Sequence, residues 1–154
     1  MAIGIFSSLK RRVPMILQSE APECGIACVA MVATFHGHQT DLLAMRTRLS
    51  PSLKGITLKQ VSQVAETMSL ASRGVKADLP ALGKLQLPAV LHWDMNHFVV
   101  LTEVSAQSIT VHDPARGIRK MSFADASKHY TGIAMEFTPT PSFLKIDERK
   151  QISA

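Results

Sequence analysis

The chain has 154 residues, 46% hydrophobic and 19% charged, which supplies one domain with its own core and excludes a disordered polymer. Its net charge of +5 is dispersed, and one Trp with one Tyr gives no aromatic ladder for base stacking, so nucleic acid is not an expected partner. No apolar run reaches the roughly 18 residues that a membrane span needs.

Along the chain, the first residues join an apolar patch (Ile3, Ile5, Phe6) to a basic cluster (Lys10, Arg11, Arg12). That order is the reverse of a secretory signal and lacks a small-residue cleavage site, so a cytoplasmic location is expected. Residues 1–12 read as an N-terminal extension. Residues 24–35 follow as an almost wholly apolar helix ending at His36-Gly37, where glycine can take the left-handed cap. A second helix over 41–49 is capped by Thr40 or Asp41 and stopped by Ser50-Pro51. A third, over 58–68, is capped by Thr57 and carries Leu58, Val61, Val64, Ala65 and Met68 at helical spacing.

From there the pattern changes to strands. They are expected at 71–75, 89–93, 97–104, 109–113, 118–122 and 134–137, with a short helix at 123–129. Helices first and strands second predict an α+β domain over 13–138. Pro139, Pro141 and the charged end make 139–154 a linker leaving the domain. There is no internal repeat, and no phosphate-binding Gly-x-x-x-x-Gly-Lys-Ser/Thr loop.

Cys24 stands where the apolar helix begins, with Gln18 six residues before it. A thiol at its ordinary pKa of about 8.5 is a weak nucleophile, and a helix N-terminus or a neighbouring imidazolium activates it. Position supplies the first of these. Cys28, one turn deeper between Ala27 and Val29, reads as a small core residue. Two cysteines four apart on one helix are poorly placed to bridge, so both are expected as free thiols. They make no Cys-x-x-Cys pair and no second pair supports them, so neither metal nor cofactor is implied.

His97 is the candidate base. A hairpin turn centred on residue 105 would pair Leu101 with Ile109, Val99 with Val111, and His97 with Asp113, although a bulge would shift this register. Asp113 would then accept the imidazole N–H and stabilise the imidazolium. His92 has no evident acid partner. His36 and His38 flank the helix cap, where they complement the dipole. His112 faces away from Asp113, and His129 ends a short helix. Gln18 is the candidate oxyanion donor, since an amide N–H together with a backbone N–H can hold a carbonyl oxygen as it gains charge.

These residues resemble the papain-like leader peptidase domains at the N-termini of bacteriocin-exporting ABC transporters, of the colicin V and microcin type. The cysteine motif of that family is matched by Gln18, Glu23, Cys24, Ala27, Met31 and His36-Gly37, and its histidine motif by His97-Phe98-Val99 and Asp113-Pro114. Glu23 stands where the family usually has Asp, and His36 where it has Tyr; neither is a catalytic group. The resemblance spans about residues 13–137.

It implies a papain-like fold, N-terminal helices on a C-terminal antiparallel sheet. The activity implied is cysteine endopeptidase, with Cys24 as nucleophile, His97 and Asp113 completing the triad, and Gln18 at the oxyanion. The implied substrate is a precursor peptide whose leader ends in Gly-Gly or Gly-Ala and docks as an amphipathic helix. The other partners would be transmembrane and nucleotide-binding domains of the same transporter, on the cytoplasmic side of the inner membrane. Two other readings are a leader-docking module with a slack triad and a different papain-like acyltransferase or amidase.

Overall fold

The computed structural model describes residues 11–50 and 57–149. The apolar patch at residues 3–6, Lys10, Pro51 and the end of the tail from Lys150 lie outside them. Four α-helices occur among the described residues: α1 (Cys24–His36), α2 (Leu42–Arg48), α3 (Leu58–Thr67) and α4 (Phe123–Ala126). The strands are β1 (Leu70–Lys76), β2 (Ala89–Trp93), β3 (His97–Val104), β4 (Ser108–Asp113), β5 (Gly117–Ser122) and β6 (Tyr130–Pro139). They form one antiparallel sheet in the order β1-β6-β2-β3-β4-β5.

Local chemistry sets the helix boundaries. Asp41 accepts the Ala44 N–H at 2.8 Å and starts α2. Thr57 and Gln60 exchange bonds in a capping box at the start of α3. Gly37 closes α1 at φ 114, the left-handed conformation that favours glycine. Helix α1 has no polar face, and every residue from Cys24 to Ala33 is buried. It lies on β3 with α2 and α3 beside it. Phe98 and Val100 face this larger core, which also takes Val13, Met15 and Ile16 from the N-terminal segment.

The other face of the sheet is buried too. Val99 and Leu101 join Leu91, Trp93 and Val111 under a 3-10 helix, Leu79–Lys84, and the short α4. The sequence pattern did not reveal that 3-10 helix. Elsewhere the elements match expectation to within a few residues, except that β6 begins at Tyr130 and α4 ends at Ala126.

The segment expected as a departing linker folds back as far as Glu148. Thr140 N–H bonds Ser69 O at 3.0 Å, and Gln39 exchanges backbone bonds with Ile146 and Glu148. Phe143 packs on the rings of His36 and His38. Glu148 accepts from His38 at 2.7 Å, from Thr40 at 2.8 Å and from Arg48. These contacts join residues from 71 to 110 positions apart, which is why local composition reads the segment as free chain. Among the described residues, no helix is long and apolar enough to cross a membrane.

Phe98 is fully buried between α1 and the sheet. Phe98→Ala is expected to cost about 3–5 kcal/mol in denaturant unfolding, with a proportionate fall in midpoint. A loss under about 1 kcal/mol would show that this face is not the packed core.

Candidate active site

Three stretches distant in sequence converge at the N-terminal end of α1. The first is the segment leading into the helix. Residues 18–23 turn through a 3-10 helix, Ala21–Glu23, and deliver the chain into α1 at Cys24. The second is the start of β3, which carries His97, and the third is the end of β4, which carries Asp113.

The hairpin register differs from expectation. Val104 pairs with Ile109, Leu101 with Val111 and Val100 with His112, with a shift between Leu101 and Glu103. A four-residue turn closed by Ser105 N–H to Ser108 O moves the centre of the hairpin, and the irregularity at Thr102 moves it again. His97 is therefore not opposite Asp113. Continuing the register sets Asp113 beside Val99, so His97 is its diagonal neighbour, a separation that long side chains span. The contact still forms, with His97 Nε2 lying 2.7 Å from Asp113 Oδ1.

Asp113 is almost fully buried, and its Oδ1 also accepts the Ala115 N–H at 2.9 Å. Burial opposes its ionisation, but the bonds from His97 and Ala115 outweigh that and hold its pKa below the usual carboxylate value. For His97, burial works against protonation. Its hydrogen bonds to Asp113 and Cys24, with the charges of both, prevail and raise its pKa to about 9. Because Nε2 is engaged by Asp113, Nδ1 is the nitrogen left for Cys24.

Cys24 has no exposed surface. Beside it, Gln18, Ala21, Asn96, His97 and Asp113 contribute to a cleft of about 330 Å³. Gln18 is held by its backbone, whose N–H donates to Pro114 O at 2.9 Å, and by its amide, which donates to Glu20 O at 3.2 Å. Its Oε1 is buried without a hydrogen bond among the described residues. The amide nitrogen keeps a second N–H beyond the one given to Glu20.

The other histidines are occupied elsewhere. His92 bonds Thr131 at 2.9 Å, and His129 bonds Asp94 at 2.8 Å while stacking on Trp93. His112 donates to Pro14 O at 2.9 Å, fastening the N-terminal segment to β4. His38 pairs with Glu148. Burial leads in lowering the pKa of His36, so it ends α1 as a neutral ring rather than as the expected charge on the dipole. Cys28 lies in the core as expected, with burial pushing its thiol pKa well up.

Sequence reasoning does not single out Arg46. Its Nη2 donates to Glu23 Oε1 at 2.9 Å and its Nε to Glu23 Oε2. An acid directly before Cys24, facing a buried helix, was the available signal that a base had to meet it.

A thiol carried by a buried helix meets a strand-borne imidazole here as in papain-like cysteine peptidases. Comparison with known proteins agrees. The model of the peptidase C39 family matches residues 12–142, and the chain belongs to that family. Among curated relatives it is 42% identical over 134 residues to the colicin V secretion/processing ATP-binding protein CvaB of Escherichia coli, covering 87% of this chain and 19% of that protein. It is 40% identical over 144 residues to the probable microcin-H47 secretion/processing ATP-binding protein MchF of Escherichia coli, covering 94% and 21%. The chain thus spans about a fifth of the length of these relatives.

Among solved structures, a double glycine motif protease from an AMS/PCAT transporter, in complex with the leader peptide, aligns with TM-score 0.75 at 32% identity. That alignment covers 85% of this chain and 94% of that one. The peptidase domain of Streptococcus ComA aligns with TM-score 0.72 at 22% identity, covering 84% and 100%, and supports the fold.

Because folding raises the pKa of His97, its bonds contribute stability that is complete below the unfolded value of 6.5 and fades as pH rises through about 9. An NMR titration should find the ring of His97 changing charge near about 9. In Asp113→Asn the midpoint should fall, since burial then opposes the charge with less to offset it. A wild-type midpoint near 6.5 would contradict the geometry.

Proposed function

We propose that this domain is a cysteine endopeptidase that removes the leader of a bacteriocin or microcin precursor after a double-glycine motif, Gly-Gly or Gly-Ala. The observation that carries this reading is the 2.7 Å bond from His97 to Asp113, on a ring also hydrogen-bonded to Cys24 at the head of α1. The family match and the relatives named for colicin V and microcin-H47 secretion and processing support it.

In this mechanism the Cys24 thiolate attacks the carbonyl carbon of the last leader residue. The oxygen gains charge and is held by the free N–H of Gln18 and the backbone N–H of Cys24. His97, protonated and aligned by Asp113, gives its proton to the leaving amine as the C–N bond breaks. The leader remains as a thioester on Cys24. His97 then takes a proton from water, the water attacks the thioester, and the leader leaves with a free carboxylate.

A nucleophile with no exposed surface suits a substrate without side chains at the scissile bond, because a bulky residue there would keep the carbonyl away from Sγ. The full protein would carry this domain on the cytoplasmic side of the bacterial inner membrane. Transmembrane and nucleotide-binding domains would follow the tail, coupling cleavage to export.

A synthetic double-glycine leader peptide, with wild type and Cys24→Ala compared by mass spectrometry, tests this reading. A cut directly after the second glycine, absent from the alanine variant, is expected. Leader binding without a cut in wild type would instead mark a docking module. Gln18→Ala should lower kcat by about 10²–10³-fold, since it removes one oxyanion donor. An unchanged kcat would take Gln18 out of the mechanism.

A further inference from the structure

Glu23 is 1% exposed and directly precedes the nucleophile. A carboxylate that deep is costly unless its oxygens are filled, and here they are. Oε1 accepts the N–H of Ser19 at 3.1 Å and of Glu20 at 3.0 Å, and the guanidinium of Arg46 spans both oxygens. The hydrogen bond from Arg46, working against burial, leads in lowering its pKa to about 2, so the group is charged at any working pH.

Ser19 and Glu20 are the two residues that follow Gln18, and Glu20 O is the acceptor of the Gln18 amide. The carboxylate therefore fixes the turn that decides where Gln18 points. Arg46 comes from the last turn of α2, which Arg48 and Glu148 also tie to the tail. The anchor thus lies on an element that does not itself line the cleft.

Building on the peptidase reading, we propose that Glu23 and Arg46 are positioning residues: their ion pair holds the Gln18–Glu23 turn at the geometry in which the Gln18 amide meets the oxyanion. Neither touches the substrate. They act through Gln18, and the bidentate guanidinium matters because it fixes direction as well as charge.

The test compares Arg46→Ala, Arg46→Lys, Gln18→Ala and the double variant Gln18→Ala/Arg46→Ala on the double-glycine peptide. Arg46→Ala should lower kcat by about 10–100-fold, the scale of a small misplacement at a reacting centre, with KM little changed. Alkylation of Cys24 by iodoacetamide should stay near the wild-type rate, because that reaction forms no oxyanion. Arg46→Lys should restore part of the loss. In the Gln18→Ala background, removing Arg46 should cost little more, since the group it positions is already gone.

Full turnover in Arg46→Ala would overturn the proposal, as would losses that multiply in the double variant. A parallel fall in turnover and alkylation would also overturn it, by showing a merely structural role. If Arg46→Ala does not fold, Arg46→Lys alone and in the Gln18→Ala background gives the same cycle. A wild type that does not cut the peptide would instead refute the peptidase reading itself.

Discussion

Helix α1 is apolar on every face, so it must be covered on every side. The sheet covers one side, α2 and α3 others, and the N-terminal segment with Phe143 closes what remains. Burial of the whole helix draws its first residue, Cys24, into the interior at the end where β3 begins and β4 stops. A surface helix would have left that thiol in water, away from His97. The position of the Cys24 thiol is thus a consequence of core packing, and the polar groups gather at one end of the helix.

Two polar systems keep that end ordered in an apolar setting. On one side Asp113 accepts from His97 and Ala115 and holds the imidazole in place. On the other, Glu23 accepts from Ser19, Glu20 and Arg46 and shapes the turn that carries Gln18. A backbone bond from Gln18 N–H to Pro114 O joins the two sides. Each buried carboxylate is filled by donors that also orient a neighbouring group, so meeting the cost of burial and arranging the site are the same act.

Much of this was legible in the sequence where the cause is local. Gly37, Asp41 and Thr57 act within a few residues of themselves, and the helices they bound were read closely. Alternation along 97–104 and 109–113 showed the hairpin. The pairing of His97 with Asp113 was anticipated, but by the wrong register. The turn over 105–108 is centred between Ala106 and Gln107 rather than on residue 105, and the irregularity at Thr102 depends on how the strands lie against both cores, which a single hairpin does not encode. Arg46 and the docked tail were not visible, because their partners lie far along the chain. Arginines on a short helix and a charged terminus look like solvated surface until the fold brings Glu23 and Glu148 to them.

If Asp113 works only through His97, a double-mutant cycle on kcat/KM shows it most directly. His97→Ala, Asp113→Asn and the double variant would be compared on a double-glycine leader peptide. The double variant is then expected to be no slower than His97→Ala alone, because the carboxylate has nothing left to orient. Losses that multiply would contradict it, by showing that Asp113 serves the reaction independently of the ring.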